Sequence, residues 1–389
     1  MPDEHAKLSA SGAHRWLRCT PSVSLEEQFP DKGGEYAAEG TLAHKICELK
    51  LRKHFSTMKP SVYKKELKDL QDDPLYKPEM ETFTTAYLDF VKDTAAAFPS
   101  KPYIAVEQRL DFSHVAPEGF GTGDCIIIGG ETLVVIDFKY GQGVPVSAEE
   151  NPQMMLYALG ALNAFSMLYP IHNVKLVVFQ PRIDNVSEWE TTTDKLLDWG
   201  ESIKSTAQAA FEGRGEYVPG DWCRFCRAKN LCRARAVFAQ EPFDKYHGFT
   251  PPLISSDDVG EILKKADIVK KWIADLEEWA LAEILEGRAV SGWKAVEGRS
   301  NRQFEDTDKA FASVKAAGYD EAVLYERKPI TLTAMEKLLG KKKFEELLSD
   351  HVIKPPGKPT LAPESDKREA FTNKITAAEA FPAETEKVS

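Results

Sequence analysis

Residues 121–141 read GTGDCIIIGGETLVVIDFKYG. Two runs rich in Val and Ile flank a Gly-Gly pair, which is the pattern of two strands joined by a tight turn. Asp137 and Lys139 end the second strand and, because side chains alternate along a strand, project to the same face. Asp124 begins the partner strand. Charged groups in a half-buried sheet are costly unless they bind each other or a ligand, so this stretch predicts a site.

Strands and helices alternate on either side of this stretch, which predicts an α/β fold. Runs of Val, Ile and Phe predict strands at Tyr103–Phe112, Gly121–Ile128, Thr132–Tyr140 and Val174–Pro181. Helical periodicity predicts helices at Thr41–Leu51, Pro78–Phe98, Glu149–Leu168 and Thr193–Phe211. The fourth strand is almost continuously apolar, so we expect it to be buried on both faces.

The chain of 389 residues is too long for one ordinary domain. Pro and Gly residues at 242–252 indicate a boundary. We predict a main domain over residues 1–240, a smaller C-terminal α+β module over 256–350 and a disordered tail over 355–389. The module is predicted to contain helices at Ser256–Gly287, Asp308–Ala317 and Leu332–Leu348 and a strand at Trp293–Val296.

The composition excludes several classes of protein. A hydrophobic content of 42% is too high for wholesale disorder, and a net charge of −11 argues against a generally cationic nucleic-acid binder. Six cysteines are too few for a disulfide scaffold. The polar start of the chain and the short apolar runs predict no signal peptide and no membrane span, so we expect a cytoplasmic protein.

The acidic residues of the opening stretch have the chemistry of a metal site. Asp124 and Asp137, with the backbone carbonyl of Phe138, offer the hard oxygen ligands that Mg²⁺ or Mn²⁺ prefers. Lys139 would orient a water molecule or stabilise negative charge, and this set suits metal-assisted hydrolysis of a phosphodiester. The alternative is structural: Asp124 lies in a turn, and Asp137 and Lys139 form a surface ion pair.

Further residues around the acids favour the functional interpretation. Gln153 and Tyr157 are four residues apart and therefore share one face of the next helix. His44 lies on an upstream helix and is a competent ligand for Mn²⁺, although a lone His is more often structural.

Three cysteines follow the predicted sheet with the spacing Cys223-x₂-Cys226-x₅-Cys232. They need a fourth ligand, for which Cys19 and Cys47 are candidates, and spacing does not separate zinc from an iron–sulfur cluster. The alternative is a chance group of buried thiols. The same segment carries a basic set that is either a solvated face or a patch for the phosphate backbone of DNA. This set is Arg224, Arg227, Lys229, Arg233 and Arg235.

Four motifs, Gly40-x₃-His44, Gly123-Asp124, Asp137-x-Lys139 and Gln153-x₃-Tyr157, resemble the RecB-type branch of the PD-(D/E)XK nucleases over about residues 8–238. The resemblance implies a restriction-endonuclease-like core with a mixed central sheet flanked by helices and an N-terminal helical segment. It implies Mg²⁺ or Mn²⁺ bound by the His and the two acids, with Lys139 assisting the water and Gln153 and Tyr157 facing DNA. The second acid is Asp rather than the commoner Glu. Glu107 matches a Glu often found in the family, without a clear role.

The cysteines resemble those of the AddB kind of nuclease, with one Cys before the nuclease motifs and three after them. This resemblance implies a [4Fe–4S] cluster held by Cys19, Cys223, Cys226 and Cys232, with zinc as the alternative. Cys47 and Cys125 then remain free thiols.

The resemblance as a whole implies a metal-dependent DNA exonuclease in phage replication or recombination, acting in the bacterial cytoplasm. Its partners would be DNA ends and a phage single-strand annealing or binding protein. The alternative is a non-cleaving iron–sulfur protein of the same fold that binds nucleic acid or serves as a scaffold.

Overall fold

The computed structural model describes residues 6–30, 35–244, 255–296, 306–318, 320, 324, 332–348 and 351–352. The chain divides into two compact units, Met1–Ser291 and Gly292–Ser389. The predicted tail over 355–389 lies outside the described residues. The helix that the sequence places at the start of the C-terminal module is observed at Ser256–Leu285, within the first unit.

The first unit contains a five-stranded mixed sheet, so the predicted α/β class is confirmed. Its strands are β1 Tyr103–Asp111, β2 Phe120–Gly129, β3 Thr132–Phe138, β4 Asn173–Gln180 and β5 Asn185–Thr192. They lie side by side in chain order; β3 and β4 are parallel, and the other neighbours are antiparallel. The predicted hairpin between β2 and β3 turns at Gly130, whose φ of 55° suits glycine.

Nine α-helices are described in the first unit. They are α1 Ala13–Trp16, α2 Ser22–Glu26, α3 Glu35–Phe55, α4 Pro60–Gln71, α5 Glu79–Ala96, α6 Pro152–Phe165, α7 Thr193–Phe211, α8 Arg233–Asp244 and α9 Ser256–Leu285. Helix α6 begins three residues later than predicted, because the side chain of Asn151 caps it by accepting from the N–H groups of Gln153 and Met154.

The sheet separates two apolar cores, as the period of two along each strand requires. Ile126 and Ile128 of β2 join α6 and α7 in one core, whereas Cys125 and Ile127 join α3 and α5 in the other. Strand β4 is buried on both faces, as predicted. This packing holds α3 and α6 on opposite faces of the sheet.

Several predictions of local structure were wrong. Helix α4 and strand β5 were not predicted; β5 alternates between exposed and partly buried residues and is held by its pairing with β4. Residues 293–296 form no strand. In the second unit the described helices are α10 Thr307–Ala316, α11 Leu332–Leu339 and α12 Lys341–Leu348. The last two replace one predicted helix, because Gly340 has a φ of 75° between them.

Candidate functional site

Three acidic residues lie in a row across β1, β2 and β3. Strands β2 and β3 pair as far as Cys125 and Ile136, so the next residues, Asp124 and Asp137, face each other where the two strands separate. Across β1 and β2, Val106 pairs with Cys125 and Gln108 with Gly123, which places Glu107 opposite Asp124. The sheet therefore gathers three carboxylates at the point where β2 leaves β3.

His44 joins this row from α3. Its Nδ1 lies 3.2 Å from Oδ1 of Asp124, and its ring packs edge-on against Phe138. His44, Glu107 and Asp124 each bring a ligand atom within 4.8 Å of the other two. Among the described residues, this is the one group of three His, Cys, Asp or Glu side chains that meets this spacing.

A second set of contacts surrounds Asp137. Lys139 Nζ lies 3.0 Å from Oδ2 of Asp137 and donates to Oε1 of Gln153 at 3.3 Å. Gln153 Nε2 lies 3.3 Å from both Oδ1 of Asp137 and the hydroxyl of Tyr157. The predicted catalytic residues of β3 and α6 are thus in mutual contact.

The buried carboxylate of Asp137 has an unsatisfied oxygen. Its Oδ2 has no hydrogen bond among the described residues, although the Lys139 ammonium lies 3.0 Å away and donates to Oδ1 of the same carboxylate. Asp124 is better satisfied, because its Oδ2 accepts from the backbone N–H of Phe138 at 2.7 Å. A buried anionic oxygen without a hydrogen bond fits a cation ligand. The predicted ligand role of the Phe138 carbonyl stays a prediction.

The pKa values of the site follow from burial and mutual charge. Burial raises the pKa of Asp137 above its ordinary value, and neighbouring Asp124 adds to this. Burial also acts to raise the pKa of Asp124, but the charge and hydrogen bond of His44, the N–H of Phe138 and the charge of Lys139 together lower it below its ordinary value. Burial disfavours the charged form of Lys139, yet Asp137 and Asp124 outweigh it and raise the pKa. Lys139 therefore stays protonated.

Glu107, to which the sequence assigned no clear role, lies beside His44 and Asp124 in the structure. Its φ is 50°, a left-handed conformation that is rare for a non-glycine residue inside a strand. Burial, and then the charge of Asp124, raise the pKa of its carboxyl to about 8. The signal in the sequence was a charged residue between Val106 and Gln108 in a predicted strand. Its role could not be predicted from this signal, because the role depends on which residues of the partner strand lie opposite it.

The four cysteines at 19, 223, 226 and 232 line one small cavity. Cys47 instead is a residue of α3 whose side chain is buried in the apolar core. Of the two candidates for the fourth ligand, Cys19 is therefore the one that lies with the other three cysteines. Among the described residues, no three cysteine sulfurs lie within 4.8 Å of one another.

Charged contacts fasten the first helices to the segment that carries the cysteines. Glu26 of α2 contacts Arg15 at 2.5 Å and accepts from the backbone N–H of Arg227 at 2.7 Å. Arg15 also donates to the carbonyl of Phe225 at 3.1 Å. These contacts join segments about 200 residues apart in the chain.

The predicted basic patch divides into two groups. Lys229 and Arg235 each lie 2.7 Å from a carboxylate oxygen of Asp275 on α9, and Arg235 is buried. These two cations are engaged inside the protein. Arg224, Arg227 and Arg233 are exposed and form the remainder of the set.

Residues 5–369 match a family model described as "Protein of unknown function (DUF2800)". The chain belongs to this family. This DUF2800 protein is also similar to a solved structure, the crystal structure of SSO0001, with 18% sequence identity and a TM-score of 0.23. That match covers 49% of this chain and 95% of SSO0001. No described helix is both long and apolar enough to cross a bilayer.

Proposed function

We propose that the protein is a metal-dependent DNA exonuclease with a restriction-endonuclease-like core of the RecB-type PD-(D/E)XK branch. The observation that carries the proposal is the gathering of His44, Glu107 and Asp124 within 4.8 Å, beside the unsatisfied oxygen of Asp137 and the ammonium of Lys139. A role in phage replication or recombination, beside a single-strand annealing or binding protein, belongs to the same proposal.

Each residue has a role that follows from its contacts. His44, Glu107, Asp124 and Asp137 would hold Mg²⁺ or Mn²⁺, which when bound would lower the pKa of water and polarise a phosphoryl oxygen. Lys139 keeps its proton and supplies a fixed positive charge to the scissile phosphate. Gln153 touches both Lys139 and Asp137 and so holds the ammonium and the carboxylate in place.

We further propose that the cavity lined by the four cysteines holds a [4Fe–4S] cluster. The four thiols line one cavity together, which supports a group held by all of them; zinc is the alternative to the cluster. Iron and sulfide content of protein purified without oxygen separates the two, since one bound zinc without iron would contradict the cluster.

The nuclease proposal is tested on linear single- and double-stranded DNA, labelled at the 5′ or the 3′ end, with Mg²⁺ or Mn²⁺. We expect wild-type protein to release labelled nucleotides or short products. Asp137→Ala should be slower by at least about a hundredfold, because it removes a metal ligand and the partner of Lys139. The control is Asp198→Ala, which removes an exposed carboxylate on α7.

Two results would contradict this function. Equal degradation by wild type and Asp137→Ala would show that another enzyme or another site cleaves the DNA. Binding of DNA without cleavage by either protein, with both metals, would leave the non-cleaving scaffold of the same fold as the function.

A further inference from the structure

The loop that follows Lys139 carries backbone N–H groups without protein partners. This segment, the 141–144 loop, is exposed and contains two glycines. Among the described residues, no acceptor receives a hydrogen bond from the N–H groups of Gly141, Gln142, Gly143 or Val144. Exposed backbone N–H groups are able to bind anions.

Gln180 determines which way the loop faces. Its side chain is 2% exposed, and its Nε2 donates to the carbonyls of Gly141 at 2.8 Å and Val144 at 3.1 Å. In a planar trans peptide the C=O and the following N–H point in opposite directions. Because the Gly141 carbonyl points inward to Gln180, the N–H of Gln142 points outward.

Other contacts hold the loop in this orientation. Gln180 Oε1 accepts from the N–H of Val146 and from Asn185 Nδ2, each at 3.2 Å. The side chain of Gln142, with its amide oxygen toward Arg182, accepts from Nε at 2.9 Å and Nη2 at 2.8 Å. Every polar atom of the Gln180 amide is engaged, so the loop is fixed before any ligand arrives.

Arg224 adds a positive charge beside the same loop. A Cβ built on Gly143 would lie 3.8 Å from Nη2 of Arg224, so the guanidinium is in contact range of the loop. Unlike Lys229 and Arg235, Arg224 has no acidic partner among the described residues. The guanidinium of Arg224 also lies over the ring of Phe225 at 5.5 Å. A guanidinium without an acidic partner, next to the outward N–H of Gln142, is complementary to a phosphate.

We propose that the 141–144 loop and Arg224 bind a phosphate group of the DNA strand, adjacent to the phosphate that is cleaved. The inference rests on the proposed nuclease function and adds a second contact point to it. Gly141 is two residues beyond Lys139, so the two positions are at most about 7 Å apart along the chain, which is about the reach of one nucleotide.

The experiment measures binding rather than cleavage, in EDTA, by anisotropy of a labelled single-stranded oligonucleotide. Each oligonucleotide carries one uncharged methylphosphonate, placed at successive positions. Wild type should show one position at which binding weakens about tenfold. Arg224→Gln should bind unmodified DNA more weakly than wild type does. A methylphosphonate at that position should weaken its binding by less than about threefold, because the charged contact is already gone.

Two variants separate the loop from general electrostatics. Gln142→Pro removes the outward N–H and should weaken binding about tenfold, whereas Gln142→Ala keeps the N–H and measures the contribution of the side chain. Lys195→Gln is the charge control. Lys195 lies just after Thr192, the last residue of β5, and Thr192 pairs with Asn173 at the end of β4 that is farther from Gln180. Thermal unfolding checks that Gln142→Pro is folded. If it is not, Arg224→Gln still tests the proposal, because Arg224 is exposed and its replacement leaves the packing of the core unchanged.

One outcome overturns the phosphate site and leaves the nuclease function intact. In that outcome wild type cleaves DNA, and each methylphosphonate weakens the binding of wild type and of Arg224→Gln by the same factor. A phosphate site confirmed in a protein that never cleaves DNA overturns the nuclease function instead. Equal weakening by Lys195→Gln and Arg224→Gln also overturns the proposal, because it shows non-specific attraction.

Discussion

At the scale of single residues, Glu107 has a backbone conformation that is unusual for a residue inside a β-strand. A left-handed φ of 50° inside β1 costs of the order of 1–3 kcal/mol and persists only where the surroundings enforce it. At this position the half-buried carboxyl lies beside Asp124 and His44. A strained, half-buried acid beside two other ligand groups is expected where a cation compensates the repulsion.

Glu107 should make the metal-free protein less stable as the pH rises. Its folded-state pKa is raised from 4.5 to about 8. Its contribution is therefore fully present below pH 4.5 and is lost as the pH rises toward 8. In EDTA, the free energy of unfolding of wild type should fall more between pH 5 and pH 8.5 than that of Glu107→Gln. Parallel pH profiles for the two proteins would show that the carboxyl is not held neutral by the fold.

At the scale of elements, helix α6 depends on its first turn. Asn151 is the N-cap, with Oδ1 accepting from the N–H groups of Gln153 at 3.0 Å and Met154 at 3.4 Å. Pro152 follows as the first helical residue, where its missing N–H costs nothing. Because Gln153 is the residue that contacts both Asp137 and Lys139, the cap also fixes the side of the site that α6 supplies.

Removing this cap should cost stability. Asn151→Ala is expected to lower the free energy of unfolding by about 1 kcal/mol, measured with urea, because two N–H groups lose their acceptor. Asn151→Asp retains the acceptor and is the matched control. Equal stability of wild type and Asn151→Ala would mean that solvent replaces the cap without cost.

At the scale of the whole molecule, the cysteine cavity brings together two segments of the first unit that are about 200 residues apart in the chain. Cys19 follows α1, and the other three precede α8, with contacts of Arg15 and Glu26 beside them. A cross-link that closes a loop of about 200 residues removes much conformational freedom from the unfolded chain. A bound cluster should therefore stabilise the unit strongly.

Cys19→Ala should abolish the bound iron and lower the unfolding temperature of anaerobically purified protein. Cys47→Ala is the matched control, because Cys47 was the other candidate for the fourth ligand and lies in the core beneath α3. It should retain the iron, whatever its effect on packing. Loss of iron from Cys47→Ala with retention in Cys19→Ala would reverse the assignment of the ligands.

Much of the fold could be predicted before the structure was known, because the strongest signals in the amino-acid order are local. Periodicity and turn residues predicted β1 to β4, the helix Thr193–Phe211 and the β2–β3 hairpin. Spacing and chemistry also predicted the candidate site residues Asp124, Asp137, Lys139, Gln153 and Tyr157. Strand β5 was missed, because an edge strand with one polar face has little local signal and is defined by its partner.

The tertiary structure alone decided which of the charged groups meet. Glu107 joins His44 and Asp124 through the register of two strands, and Lys229 and Arg235 turn to Asp275, which is 40 or more residues away in the chain. The outward face of the 141–144 loop is set by Gln180, from the next strand of the sheet. Each of these depends on contacts between distant segments, and periodicity in a sequence reports only the neighbours of a residue along its own element.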